Sequence, residues 1–98
     1  MRRNADYRNE VTLWTDTVLK RPQYADVRNS LGVALSRAKN LPAAQEQYEK
    51  ALQINPDYAE AHYNLGLALH QGGKETESSV EFEKAYAISP ELRSLPRR

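Results

Sequence analysis

Two histidines, a Gly-Gly-Lys turn and six scattered serines are the residues whose types could do chemistry in this chain. His62 and His70 stand eight residues apart, with no third ligand at workable spacing, so they do not read as a metal site. The stretch "GGKET" at 72–76 shares only its Gly-Lys with a phosphate-cradling loop. It lacks the earlier glycine, places Glu75 where a hydroxyl residue is needed, and follows a helical pattern instead of a strand. It reads as a turn. Ser30, Ser36, Ser78, Ser79, Ser89 and Ser94 have no histidine and acid arranged around them by any motif. Cysteine is absent, which removes thiol catalysis, disulfides and thiolate metal sites. Glu46 and Lys50 form an i,i+4 pair of the kind that decorates a solvated helix. No catalytic constellation emerges, so neither an enzyme nor a cofactor is expected.

What recurs is larger than any of these motifs. "TVLKRP" at 17–22, "ALQINP" at 51–56 and "AYAISP" at 85–90 end on Pro22, Pro56 and Pro90, spaced 34 and 34 residues apart. Laying 25–58 over 59–92 pairs Leu31 with Leu65, Gly32 with Gly66, Leu35 with Leu69, Ala51 with Ala85 and Ile54 with Ile88. Tyr48 falls on Phe82, and one period earlier the same register holds Trp14. A fixed period of roughly 20–50 residues marks a repeat architecture.

Each period reads as two helices. Ala61, Leu65, Ala68 and Leu69 follow the i, i+4, i+7, i+8 spacing of one helical face, and Val27, Leu31, Ala34 and Leu35 repeat it. The second helix carries Ala44, Tyr48, Ala51 and Leu52 in one copy and Val80, Phe82, Ala85 and Ile88 in the other. Proline ends each unit, since it cannot continue a helix and disfavours helical backbone just before it. Asp57 stands where an N-cap is wanted, and "KNLP" and "QGGK" are turns that join antiparallel helices. Mid-helix glycine costs about 1 kcal/mol against alanine, so Gly32 and Gly66 point to close approach between helices.

The order Leu31-Gly32, Leu35, Ala44, Tyr48, Ala51, Pro56, and again Leu65-Gly66, Leu69, Ser78, Phe82, Ala85, Pro90, resembles the tetratricopeptide repeat. The resemblance covers nearly the whole chain and implies an all-α, helix-turn-helix solenoid. Five helices are expected, at 7–20, 25–38, 42–54, 59–71 and 75–88, stacked as an open right-handed superhelix with no strands. Residues 1–98 form one domain: a second helix of a partial repeat at 7–22, full repeats at 25–58 and 59–92, and a tail at 93–98. Three positions depart from the family pattern. Arg28 and His62 stand where an aromatic is common, and Ser78 replaces a small apolar residue, changes expected to loosen packing.

In this family the inner face is lined by the first helix of each unit, and the resemblance implies a protein- or peptide-binding module. The positions it carries over are Asn29, Ser30, Val33 and Arg37 in one unit and Tyr63, Asn64, Leu67 and His70 in the other, with Asp26 and Glu60 beside them. The family's better-known grip on a C-terminal carboxylate needs basic residues where this chain has Asp26, Asn29, Glu60 and Tyr63. Only Asn64 matches it, so that mode is not expected. Residues 1–22 also resemble the stretch after the last membrane helix of multi-span proteins similar to O-glycosyltransferases, which makes a non-catalytic tail of such an enzyme the alternative reading.

Composition agrees with an interaction module. A formal charge of +1 leaves no electrostatic footprint for nucleic acid or an anionic membrane, and the longest apolar run, "LGLAL" at 65–69, is far short of a span. Nothing separates a cytoplasmic from a periplasmic location. The first unit lacks its leading helix, so Trp14 at one end and Tyr86 at the other are expected on apolar flanks that favour homo-oligomerisation.

Overall fold

The computed structural model describes residues 8–95. The expected helix start at residue 7, the rest of residues 1–7 and the end of the tail at 96–98 lie outside them. Five α-helices follow one another: α1 (Arg8–Lys20), α2 (Ala25–Arg37), α3 (Leu41–Ile54), α4 (Ala59–Gln71) and α5 (Glu75–Ile88). A 3-10 turn, Pro90–Ser94, follows. Each helix packs on the next, and α2 also touches α4 across the interval of one period. Among the described residues there is no strand, and no helix is long and apolar enough to cross a membrane.

The turns repeat because their backbone chemistry repeats. After α2 the chain reverses through Lys39 at φ 69°, and after α4 through Gly73, one period on, at φ 82°. The amide of Asn40 returns to the Leu35 carbonyl and that of Lys74 to the Leu69 carbonyl, both at 2.9 Å, so the last carbonyls of each helix are satisfied. Asn40 then caps α3, its Oδ1 accepting from the Ala43 amide at 3.4 Å, with Pro42 in the first turn. Asp57 does not cap α4. The N-cap is Tyr58, and the Asn55 side chain bridges to the Asp57 amide at 3.2 Å to close the turn.

The main core joins Val18, Leu31, Leu35, Ala44, Tyr48, Leu65, Ala68 and Leu69 from four successive helices. Gly32 is the reason α2 and α3 approach so closely: a Cβ there would lie 2.4 Å from the Tyr48 ring. Gly66 stands likewise over Phe82, where the nearest ring atoms would be at 2.9 Å. A second cluster, Tyr63, Phe82, Ala85 and Tyr86 with Leu67 and Leu92 against it, closes the other end.

The three departures from the repeat pattern each make hydrogen bonds that an aromatic or a small apolar residue could not. Arg28 donates from Nε to the Pro22 carbonyl and from Nη1 to Gln47 Oε1, both at 3.2 Å. One period on, His62 sets Nε2 against the Pro56 carbonyl and Nδ1 against Glu81 Oε1, both at 2.8 Å. Each residue therefore pins the preceding proline turn to the second helix of its own unit, a hydrogen-bonded substitute for an aromatic. Ser78 is 1% exposed, and its hydroxyl donates to the Gly66 carbonyl at 2.8 Å, so the buried oxygen has a partner.

Candidate interaction surface

The face shared by α2 and α4 gathers most of the predicted binding residues. Asn64 Nδ2 donates to Asn29 Oδ1 at 3.1 Å, and Asn29 Nδ2 reaches the Tyr58 hydroxyl at 3.5 Å, so the two amides bridge the helices as a ladder. Asp26 and Glu60 sit in the first turns of α2 and α4, while Arg37 and His70 sit in the last turns. The face is thus negative at one end and carries its cation-forming side chains at the other. Burial, then the Glu60 and Asp26 carboxylates, push the Tyr58 hydroxyl above the usual tyrosine range, against the opposing bond from Asn29. His70 is exposed and lies 2.9 Å from the Glu75 carboxylate across the Gly72–Gly73 turn.

Beside this face α1 and α2 leave a cleft of about 230 Å³, lined by Glu10, Trp14, Ser30, Val33, Ala34 and Arg37. Trp14 was expected on a sticky end and Ser30, Val33 and Arg37 in a groove; the structure makes them walls of one cleft. Arg37 is not free at its mouth, since its Nη1 pairs with Glu10 at 3.1 Å. Glu10 is the residue that sequence reasoning missed. Its signal was present in the register, because it stands one period before Ala44, and a carboxylate where the complete unit has a buried alanine marks an open position.

Two predicted residues are not on open surface. Tyr63 is 7% exposed, its ring edge-on to Phe82 at 5.4 Å and 60°, so it fills the second core cluster and is not available to a ligand. Tyr86, expected on an apolar flank, is also covered. It stacks on Phe82 at 6.1 Å, and Arg93 of the terminal turn lies 4.4 Å from its ring centroid. Leu67 packs partly against the same cluster. Among the described residues no three His, Cys, Asp or Glu side chains converge.

Stacked helical hairpins with a polar-lined inner face define a helical-repeat scaffold, a class that works by holding other proteins. The repeat identifies the family. A TPR-repeat family model matches residues 37–73 and a tetratricopeptide-repeat model matches 59–92. The chain belongs to the tetratricopeptide repeat family. Solved structures of MamA are similar: one at 25% identity and TM-score 0.76 over 87% of this chain and 50% of its own. A MamA point mutant matches at 26% and 0.76 over 81% of this chain and 58% of its own. MamA MSR-1 C2 matches at 26% and 0.79 over 93% of this chain and 51% of its own. The chain therefore spans about half the length of these MamA structures. No curated protein matches it.

Proposed function

We propose that the α2–α4 face and the adjoining α1–α2 cleft together form the binding surface of a protein-interaction module. The observation that carries this is the cleft itself. It places a half-buried Trp14 beside Ser30, Val33 and Arg37, an aromatic anchor with polar groups at its rim. The ladder of Asn29, Asn64 and Tyr58 extends the surface with amides that already face each other. Such a surface suits a partner segment that buries an apolar stripe and leaves its polar side at the rim.

The test is comparative capture with three proteins. The wild type is set beside a double variant, Ser30→Arg with His70→Glu, which changes the face without entering either core cluster. A Val80→Glu variant, altered at an exposed position of α5, serves as the control. Specific partners should be lost from the double variant and kept by the control. If every specific partner survives the double change, the surface lies elsewhere.

A further inference from the structure

The helices end on two opposite edges, and the edges differ in charge. One holds the proline turns, with the starts of α2 and α4 and the ends of α1, α3 and α5. The other holds the hairpin turns at Lys39 and Gly73. Among the described residues, Asp26, Asp57, Glu60 and Glu91 on the proline edge pair with no cation, and Arg21 is the unpaired cation set against them. On the hairpin edge Arg37 and His70 are matched by Glu10 and Glu75. Lys39 and Lys74 pair with no acid there, against one unpaired carboxylate, Glu77. A formal charge of +1 therefore hides a polar molecule, acidic at one edge and basic at the other.

The hairpin edge also carries an apolar groove of about 300 Å³, lined by Leu41 and Pro42 of α3, Ala68 and Leu69 of α4, and Lys74. At the far end of α3, Ile54 is 42% exposed, an aliphatic side chain left in water. From α2 to α5 the proline edge reads Asp26, Ile54, Glu60, and the hairpin edge reads Lys39, groove, Lys74. Acid, aliphatic, acid stands against base, hole, base in one order. Packed helices lie roughly 8–10 Å apart, so the two rows share a spacing. A copy shifted along the helix direction presents one row to the other. It also sets the negative C-terminus of each helix towards the positive N-terminus of its counterpart.

Further repeats would not fill this groove. Each of α2, α3 and α4 already has a helix packed on both flanks, yet Asp26, Lys39, Ile54, Glu60 and Lys74 stay exposed. A longer array would lengthen both edges and cover neither. We propose that the hairpin edge of one molecule receives the proline edge of a second copy, Ile54 entering the groove while Asp26 meets Lys39 and Glu60 meets Lys74. Both halves of the contact are present on this chain, in matching order, which is what selects a second copy as the occupant. The halves differ, so the contact does not close on itself and copies add in a line. It goes beyond the binding surface described above and uses neither its amides nor the Trp14 cleft.

Sedimentation of the full chain across a dilution series, at about 20 mM and about 500 mM salt, tests this. At low salt half-assembly should fall near about 1 mM, as for a small polar contact, and high salt should raise that concentration at least about fivefold. Three variants change exposed positions: Asp26→Lys with Glu60→Lys, Lys39→Glu with Lys74→Glu, and Ile54→Gln. Each alone should raise the half-assembly concentration by about tenfold or more. Mixing the two charge-reversed proteins in equal amounts should restore assembly, because each supplies the edge the other lacks. The proposal is overturned if the wild type stays monomeric to about 3 mM at low salt. It is overturned if assembly ignores salt and both charge reversals, or if the mixture stays monomeric while circular dichroism shows both variants folded. Assembly abolished by Trp14→Glu and kept by Ile54→Gln would place the contact at the α1–α2 cleft and overturn it as well. So would assembly lost on replacing Arg2, Arg3, Arg97 and Arg98 by glutamine yet kept by Lys39→Glu with Lys74→Glu, since the cations would then come from the chain's ends.

Discussion

Replacing Gly32 by alanine sets two effects against each other, and the structure decides which wins. In a helix interior the change is ordinarily favourable by about 1 kcal/mol, since alanine loses less backbone freedom. Here the new methyl would stand 2.4, 2.6 and 2.9 Å from three atoms of the Tyr48 ring. That ring is 2% exposed, and Ala44 and Ala51 of the same helix are fully buried, so it has little room to retreat. Its hydroxyl is also tied to Ser36 Oγ at 3.5 Å. Overpacking of this kind costs roughly 1–3 kcal/mol and at times more. The net expectation for Gly32→Ala is a loss of up to about 2 kcal/mol, or up to roughly 15 °C in Tm for a domain of this size. Gly66→Ala, whose nearest ring atoms are at 2.9 Å, should lose less. Thermal and urea melts followed by helical circular dichroism make the comparison. Pairing Gly32→Ala with Tyr48→Leu should recover part of the loss, a non-additive coupling between contacting residues. A Gly32→Ala protein that melts above wild type, or a Gly66→Ala protein that loses more, would refute the close-approach argument.

Lys39→Gly should stabilise the fold by about 0.5 kcal/mol, because φ 69° strains a lysine and the same register already holds Gly73; the urea midpoint checks it. His62→Ala should cost about 1–3 kcal/mol by stripping partners from the Pro56 carbonyl and the largely buried Glu81, while His62→Arg should restore most of it, as Arg28 makes the equivalent bonds; melts of both variants decide. Burial, opposed by the Ser36 bond and the Arg37 charge, raises the Tyr48 hydroxyl above the usual tyrosine range. Its contribution to stability is intact below about pH 10 and is lost as pH climbs through the raised folded value, so urea midpoints should fall there and Tyr48→Phe should flatten that fall.

The repeat, the five helices and the glycine contacts were legible because each is written in short-range spacing that survives a shift of 34 residues. The helix ends follow from Pro22, Pro56 and the Lys39 and Gly73 turns, which act locally. What was not legible depends on neighbours distant in sequence. Arg28 and His62 read as gaps in a packing pattern, since nothing local shows that a proline carbonyl and an acceptor on α3 or α5 converge on them. Tyr86 read as an apolar flank because Pro90 interrupts the periodicity, hiding the five-residue turn that brings Arg93 over its ring and Leu92 against its cluster. Tyr63 read as surface because the family resemblance places its register on the inner face, whereas its ring packs edge-on to Phe82 of α5. Trp14 and Val33 were assigned to separate roles since only the packing of α1 on α2 makes them share a wall.

The central claim is that partners engage the α2–α4 face and the cleft at Trp14, and amide hydrogen exchange on the complex with a captured partner tests it most directly. Added protection should concentrate in 8–20, 25–37 and 59–71, with the strongest effects near Trp14 and Ser30 and little change along 75–88. Protection confined to α3 and α5, with α2 and α4 exchanging as in the free protein, would contradict it.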